Sequence, residues 1–257
     1  MHQLSLPVLR NEPLGGDFFK MTFPWENAQP PQAGQFLTIR VSERAIPLLR
    51  RPFAFSHFAP SEKTASIIIK RRGTATDILW GRREGEYLDI IGPLGNSFHE
   101  PEPGKAAVVM AGGIGLGPML FLADDFRRKK ISTLFIFGCR TTEQLPGFLG
   151  LEKTGSVICT DDGSAGFQGT PVDNLKILAE PTFSSPSLYA CGPLPMLKSA
   201  ALLAQSRRMV CWVSMEQTLG CSMGACMGCV IRVTHEPGFA RVCREGPVFD
   251  SREVQWT

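Results

Sequence analysis

Residues 106–118 read Ala-Ala-Val-Val-Met-Ala-Gly-Gly-Ile-Gly-Leu-Gly-Pro. The first six form a continuous apolar run, which is typical of a strand buried on both faces. Glycines let backbone N–H groups approach a diphosphate, and Pro118 suits the first turn of a helix that we expect to reach about Lys129. Because the strict G-x-G-x-x-G order is lacking, the stretch alone is equally consistent with a tight strand-to-helix turn. Its candidate nucleotide contacts are Gly112, Gly113, Gly115 and Gly117.

The chain on the C-terminal side alternates between short apolar runs and helical patterns. Strands are predicted at 134–137, 157–160 and 188–190, and helices at 171–179 and 195–207. This alternation predicts a parallel, doubly wound α/β sheet, which binds ligands at the carboxyl ends of its strands. Residues 189–196 (Tyr-Ala-Cys-Gly-Pro-Leu-Pro-Met) lie between a predicted strand and helix at that edge. We therefore expect them to line the same crevice as the glycine run.

Residues 1 to about 100 have the pattern of a small β-barrel. Short candidate strands at 35–41, 66–70 and 87–91 are separated by glycine- and proline-rich turns. Two turns carry basic and hydroxyl side chains that suit a diphosphate, at 50–56 and 70–76. Each is also typical of an ordinary surface turn.

The C-terminal segment contains Cys221, Cys226, Cys229 and Cys243 in the spacing C-x4-C-x2-C-x13-C. Plant-type ferredoxins space the ligands of a 2Fe–2S cluster in this way, with the fourth cysteine standing apart. Structural zinc sites use two short pairs separated by a longer spacer, so zinc is the weaker alternative, and disulfides are a third. The segment from about residue 211 is too short for a sizeable core, and we expect it to fold around its metal centre.

Composition sets limits on the function. The chain has 257 residues, 43% hydrophobic and 20% charged, which describes a globular protein of two domains or two plus a small module. A net charge of +3 is too small to indicate nucleic-acid binding. No apolar run is long enough for a membrane helix, and the N-terminus lacks the layout of a signal peptide, so we expect a cytoplasmic protein that is not associated with membranes.

Taken together, five motifs resemble the electron-transfer subunit of class 1B dihydroorotate dehydrogenase, within the ferredoxin–NADP reductase superfamily. The resemblance covers essentially the whole chain. It implies an FAD-binding β-barrel over 1–101, an NAD-binding α/β domain over 102–210 and a 2Fe–2S module over 211–257. The motifs are Arg-Pro-Phe-Ala at 51–54, Gly-Pro-Leu-Gly-Asn-Ser-Phe at 92–98, Ala-Gly-Gly-Ile-Gly-Leu-Gly-Pro at 111–118, Cys-Gly-Pro-Leu-Pro-Met at 191–196, and the cysteine run with Cys-Arg-Glu-Gly-Pro-Val-Phe at 243–249.

The resemblance also implies which residues contact FAD. The family's flavin signature falls on Arg51, Pro52, Phe53 and Ala54, where alanine replaces a hydroxyl residue and Ser56 is a weak candidate to substitute for it. The diphosphate turn Gly-x-Gly-Thr falls on residues 73–76, with Ala75 in place of the second glycine and Thr76 retained. The strand before that turn is implied to flank the flavin through Ile68, Ile69 and Lys70.

For Cys191, Gly192 and Pro193, the resemblance implies a position near both the nicotinamide and the flavin. The acidic stretch that begins at Asp161 follows the third sheet strand, where relatives that use NADPH bind its 2′-phosphate. Because carboxylates repel that phosphate, we expect NADH to be preferred.

The resemblance implies a partner as well. Electrons pass between NAD(H), FAD, the cluster held by the four cysteines, and an FMN-containing catalytic subunit that oxidises dihydroorotate to orotate, in a heterotetramer. No side chain of this chain is expected to act as acid, base or nucleophile, because the cofactors carry the chemistry. One alternative is the small flavin and iron–sulfur subunit of a sulfide dehydrogenase or of an NADH-dependent ferredoxin:NADP transhydrogenase-type complex. A zinc-stabilised, nucleotide-binding regulatory protein is an alternative of another class.

Overall fold

A computed structural model describes residues 2–26, 29–43, 46–147, 156–178 and 186–256. Its N-terminal part is an antiparallel, seven-stranded half-barrel with the order β1-β7-β4-β5-β6-β3-β2. The strands are β1 (His2–Pro7), β2 (Arg10–Gly15), β3 (Phe18–Pro24), β4 (Phe36–Arg40), β5 (Arg51–Ala59), β6 (Thr64–Lys70) and β7 (Tyr87–Leu94). The three strands predicted from the sequence are β4, β6 and β7, whereas the stretch 50–56, predicted as a turn, lies almost entirely within β5.

A short helix, α1 (Thr74–Trp80), lies between β6 and β7. The sequence pattern predicted only a basic turn here, and the structure restricts that turn to residues 71–73. The Thr76 hydroxyl accepts hydrogen bonds from the backbone N–H groups of Arg72, at 2.8 Å, and Gly73, at 3.2 Å. These bonds satisfy two backbone N–H groups just before the first turn of α1. A helix can therefore begin among residues that are otherwise typical of turns.

The second sheet is parallel apart from one edge strand, in the order β11-β10-β9-β8-β12-β13-β16. This arrangement confirms the predicted fold class. Its strands are β8 (Ala107–Gly112), β9 (Thr133–Cys139), β10 (Val157–Thr160), β11 (Phe167–Gln168), β12 (Ser187–Cys191), β13 (Cys211–Ser214) and β16 (Val248–Asp250). Its helices are α2 (Leu116–Arg128), α3 (Pro171–Ile177) and α4 (Leu194–Ser206). The last residue of the helix predicted over 171–179 lies outside the described residues.

The C-terminal segment is joined to this sheet. Its own hairpin consists of β14 (Val230–Arg232) and β15 (Phe239–Arg241). However, β13 pairs in parallel with β12, and β16 pairs antiparallel with β13. The predicted division at residue 211 assigned β13 to the cluster module, whereas its hydrogen bonds extend the α/β sheet.

Barrel and α/β sheet share one hydrophobic core, which includes Phe55, Val109, Phe121 and Tyr189. Helix α2 packs against β5 and β6, with Gly117 at the contact. A Cβ there would lie 3.6 Å from the Cβ atoms of both Ser56 and Ile68. In the described part of the chain, no helix is both long and apolar enough to cross a membrane.

The two glycine-bearing turns of the α/β sheet, which the sequence predicted to line one crevice, are in direct contact. A Cβ on Gly192 would lie 2.9 Å from the Gly112 Cα, and a Cβ on Gly115 would lie 2.2 Å from the carbonyl oxygen of Cys191. Real Cβ atoms do not approach backbone so closely, so glycine is required at both positions.

The substitution Gly115→Ala is therefore expected to lower the free energy of unfolding by about 1–3 kcal/mol, the usual cost of overpacking. Gly81→Ala is the matched control, since a Cβ there would meet its nearest atoms at an ordinary 3.7 Å. We expect it to change stability by less than about 0.5 kcal/mol. Chemical denaturation of the two variants beside the parent chain measures the difference, and equal stabilities would contradict this packing argument.

Candidate electron-transfer site

A cavity of about 240 Å³ lies where the barrel, the α/β sheet and the C-terminal segment meet. Its walls include most of the residues predicted to contact the flavin, namely Pro52, Phe53, Ala54, Ile68, Ile69, Lys70 and Cys191. Strands β5 and β6 supply the barrel side, and the carboxyl ends of β12 and β13 supply the opposite side. Its mainly apolar walls suit a flat aromatic ring system such as the flavin isoalloxazine. We call it the flavin cavity.

The other predicted FAD residues lie outside this lining. The Arg51 guanidinium donates to the Leu49 carbonyl oxygen. Ala75 and Thr76 belong to the first turn of α1, and the adjacent Gly73 has open space where a Cβ would stand. Their contacts with a cofactor stay predictions.

Ser56 does not supply the hydroxyl that Ala54 lacks. It is 5% exposed, and its Oγ donates to the Ser66 carbonyl oxygen at 3.0 Å. Its donor is therefore already used inside the barrel.

A second, larger cavity of about 670 Å³ adjoins the first. It is lined by four of the residues predicted to bind the nucleotide, namely Gly112, Gly113, Asp161 and Pro193. We call it the nucleotide cavity. The other predicted residues of these turns are placed differently. Gly115 and Gly117 make the packing contacts described above, and Gly192 lies against Gly112 and lines a neighbouring groove.

Lys70 connects the two cavities, because it lines both. Its Nζ lies 5.0 Å from the centroid of the Phe18 ring. Burial lowers the pKa of Lys70, and the positive charge of Arg72 lowers it further. Together with Arg72 and Arg140, Lys70 makes the nucleotide cavity a basic surface that suits a diphosphate.

The carboxylates of the acidic stretch at Asp161 and Asp162 were predicted to repel a 2′-phosphate, and the structure places them in different surroundings. Asp161 lines the nucleotide cavity. The Asp162 carboxylate accepts hydrogen bonds from the Ser164 hydroxyl, at 2.6 Å, and from its N–H, at 3.0 Å, and these bonds lower the pKa of Asp162.

Sequence reasoning missed the residues at the end of β13 and just after it. Ser214, Met215, Glu216, Gln217 and Leu219 all line the flavin cavity. The available signal was their position at the end of a strand in a parallel sheet, which becomes visible only once β13 is assigned to that sheet. Although part of Glu216 is exposed, desolvation raises the pKa of its carboxyl, and the charge of Arg72 opposes this effect.

The four cysteines of the C-terminal segment are arranged as two pairs. Cys221 and Cys226 lie in a surface loop, where the N–H groups of Ala225 and Cys226 approach the Cys221 Sγ at 3.3 Å. The N–H groups of Cys221 and Gly228 approach the Cys226 Sγ at 3.4 Å. Cys229 and Cys243 are only 2% and 3% exposed.

These surroundings change the acidity of the thiols. Hydrogen bonds from backbone N–H groups, with that of Met223 first, lower the pKa of Cys221 to about 6. Burial, with the neighbouring Cys229 thiol, raises the pKa of Cys243 to about 12. Backbone N–H groups that point at sulfur also stabilise the thiolates of a metal cluster.

The pairing fits two irons better than one zinc ion. A structural zinc site needs four ligands around one point, whereas each iron of a 2Fe–2S cluster takes two cysteines. The residues present therefore fit a two-iron cluster.

Comparison with known proteins agrees with this geometry. The model of the iron-sulfur cluster binding domain of dihydroorotate dehydrogenase B matches residues 216–255, which include all four cysteines. The "Dihydroorotate dehydrogenase B (NAD(+)), electron transfer subunit" of Caldanaerobacter subterraneus subsp. tengcongensis is 35% identical over 254 residues, covering 98% of each chain. That of Geobacillus sp. is 33% identical over 259 residues, covering 99% of each. The chain belongs to this family of electron transfer subunits.

Solved structures show the same fold. The structure of an NADH-dependent reduced ferredoxin-NADP oxidoreductase has a TM-score of 0.83 at 24% identity, covering 98% of this chain and 90% of its own. Phthalate dioxygenase reductase has a TM-score of 0.65 at 19% identity, covering 94% and 77%. The resemblance predicted from the sequence is confirmed, and as a member of this family the chain is an oxidoreductase electron-transfer subunit.

In this family member, the loop that carries Cys221 and Cys226, here called the cysteine loop, is held in place by residues at the end of β15 and just after it. The Arg241 guanidinium donates to the Gly224 carbonyl oxygen at 2.8 Å and pairs with the Glu245 carboxylate. Gly224 has φ +86, and a Cβ on it would lie 2.8 Å from the Arg244 Cδ. Glycine therefore lets the loop turn tightly beneath the cysteines.

The assignment of metal ligands can be tested at Cys226, whose exposure makes its removal a small packing change. We expect Cys226→Ala to lose the iron and acid-labile sulfide of the purified protein while its FAD remains bound. Cys159→Ala is the control, because Cys159 is buried in the α/β core and belongs to neither pair. It is expected to keep its full iron content at some cost in stability. Full iron in Cys226→Ala, or zinc in the parent chain, would contradict the assignment.

Proposed function

We propose that the chain carries electrons between NAD(H) and an FMN-containing partner subunit that oxidises dihydroorotate, by way of FAD and a 2Fe–2S centre. The observation that supports this most is the shared lining of the flavin cavity. The barrel contributes Phe53, the α/β sheet contributes Cys191, and the C-terminal segment contributes Val242, next to the cluster cysteine Cys243. A flavin in this cavity lies beside both the nucleotide cavity and the cysteine pairs.

The chain's own residues orient the two nucleotides. Phe53, Ile68 and Ile69 offer apolar surface to a flavin ring, and Lys70 carries positive charge at the junction of the two cavities. Gly112 and Gly113 let the NAD(H) diphosphate approach backbone at the edge of the sheet. When bound, FAD would exchange a hydride with NAD(H) and single electrons with the cluster, which carries one electron at a time.

NADH is the proposed coenzyme in preference to NADPH. Asp161 lines the nucleotide cavity at the carboxyl end of β10, and its negative charge opposes a 2′-phosphate there. Arg140 lines the same cavity and suits a phosphate, so the preference depends on which of the two side chains faces the ribose.

The partner and the direction of flow follow from the family. Its members are named dihydroorotate dehydrogenase B (NAD(+)) electron transfer subunits, which supports flow from dihydroorotate to NAD⁺. A heterotetramer in the cytoplasm is proposed with it, as the resemblance of the sequence implies. Cys226 is exposed, and the adjacent Met223 and Met227 are 42% and 40% exposed. This loop is the proposed surface through which the cluster meets the catalytic subunit.

A visible spectrum of the anaerobically purified protein tests the proposed function. We expect flavin bands over a broad iron–sulfur absorption, and bleaching of both by NADH but much more slowly by NADPH. Asp161→Asn removes the opposing charge, so it is expected to reduce the ratio of kcat/KM for NADH to that for NADPH. A colourless protein, or faster reduction by NADPH, would contradict the proposal.

A further inference from the structure

Asn96 connects the end of the barrel to the segment that follows the last cluster cysteine. Its side-chain Nδ2 donates to the carbonyl oxygens of Glu245, at 2.9 Å, and Val248, at 2.8 Å. Its Oδ1 accepts from the Val248 N–H at 2.9 Å, and its own N–H donates to the Gly246 carbonyl oxygen at 2.8 Å. One residue of the barrel thus makes four hydrogen bonds to backbone atoms of 245–248.

The orientation of the Asn96 amide is determined by these partners. The Val248 N–H faces one terminal atom of the side chain, which must therefore be the oxygen. The carbonyl oxygens of Glu245 and Val248 face the other terminal atom, which must be the nitrogen. A carboxylate of the same shape has no donor for those carbonyl oxygens. The contact is specific for an amide.

Two glycines allow the backbones to come together beside Asn96. A Cβ on Gly95 would lie 2.5 Å from the Pro247 Cδ, and a Cβ on Gly34 would lie 2.8 Å from the Val248 Cγ2. The Gln35 side chain donates to the Gly95 carbonyl oxygen at 3.0 Å. This bond joins the turn at Gly95 to the residue just before β4. The turn is therefore held within the barrel while it binds the C-terminal segment.

The segments joined in this way border the flavin cavity. Gly34 and Phe36 line it from the barrel, and Val242 and Pro247 line it from the C-terminal segment. Cys243 lies between those last two residues in the chain. Glu245 also binds Arg241, which holds the cysteine loop through Gly224. The position of 245–248 against the barrel therefore sets the position of the cysteines relative to the flavin cavity.

We propose that Asn96 is a positioning residue that fixes the distance between the flavin and the cluster. The proposal rests on the proposed function, since it assigns Asn96 to the electron step between the two cofactors. Asn96 acts through its hydrogen bonds to the backbone of 245–248. The rate of electron tunnelling falls steeply with distance, so loosening this contact slows electron transfer while hydride transfer to FAD is unaffected.

Two variants separate the hydrogen bonds from the shape of the side chain. Asn96→Asp has nearly the same shape but places a carboxylate against two carbonyl oxygens. Asn96→Ala removes all three side-chain bonds without adding repulsion. We expect the aspartate variant to be impaired at least as much as the alanine variant, which is the reverse of the order expected if only side-chain volume mattered.

Asn11→Asp is the matched control. The Asn11 side-chain nitrogen also donates to carbonyl oxygens, those of Leu79, Trp80 and Arg82, at 2.9 to 3.1 Å. All of these partners belong to the barrel. The control therefore suffers the same chemical change without disturbing the contact between the barrel and the C-terminal segment.

The experiment is anaerobic stopped-flow reduction of the holoprotein by NADH, after FAD and iron contents have been measured for each variant. The parent chain first establishes that FAD and then the cluster are reduced, which tests the proposed function by itself. For both Asn96 variants we expect parent-like reduction of FAD and reduction of the cluster slowed by about tenfold or more, the effect of losing a few hydrogen bonds from a docked contact. Asn11→Asp is expected to reduce its cluster at the parent rate.

Unchanged cluster reduction in Asn96→Asp and Asn96→Ala, with both cofactors bound, would overturn the proposal. Equal slowing of FAD and cluster reduction would also overturn it, because that result indicates a general structural role. If Asn96→Asp fails to retain iron, amide hydrogen exchange of Asn96→Ala decides instead. Faster exchange at Val248 than in the parent chain is then expected, and unchanged exchange there would overturn the proposal.

Discussion

Helix α2 packs directly on strands β5 and β6, and this contact makes the flavin cavity possible. At this contact Gly117 faces Ser56 and Ile68, and one hydrophobic core continues from the barrel into the α/β sheet. Burial of apolar surface is the main source of stability in such a core. The same contact brings the carboxyl ends of the sheet strands opposite the barrel residues Phe53 and Ile69.

The cysteine pairs continue this arrangement toward the surface. Cys229 and Cys243 are buried, and Val242, next to Cys243, reaches the flavin cavity. Cys221 and Cys226 lie in the outer loop, and Cys226 is exposed. A cluster bound by the two pairs thus has one side toward the flavin cavity and the other toward solvent, which suits a carrier between an internal donor and an external acceptor.

Much of this was predictable because the patterns are local. Buried parallel strands read as continuous apolar runs, which located β8, β9, β10 and β12, and the cysteine spacing identified the metal centre. The strands of the barrel were harder to predict from the sequence. Strands β1, β2 and β3 were not assigned. The mixed burial of β1 and β2 gives weak alternation, and β3 is buried over most of its length, so it lacks a clear two-residue period as well. Helix α1 was missed because the hydroxyl of Thr76, which bonds the backbone before it, also suits a turn.

The remaining differences depend on tertiary contacts that no local pattern contains. Gly115 was predicted to approach a diphosphate, yet the structure uses its missing side chain to pack against Cys191. Glu216 was overlooked because it follows a strand that had been assigned to the C-terminal module. Asn96 was noticed only as part of a motif, since its partners lie about 150 residues further along the chain.

The most direct test of the account is a crystal structure of the holoprotein with the anomalous scattering of iron. The account predicts two iron positions, one bonded to Cys221 and Cys226 and the other to Cys229 and Cys243, with the flavin ring in the cavity lined by Phe53, Ile69 and Val242. A single metal ion bonded to all four cysteines, or a flavin ring bound outside that cavity, would contradict it.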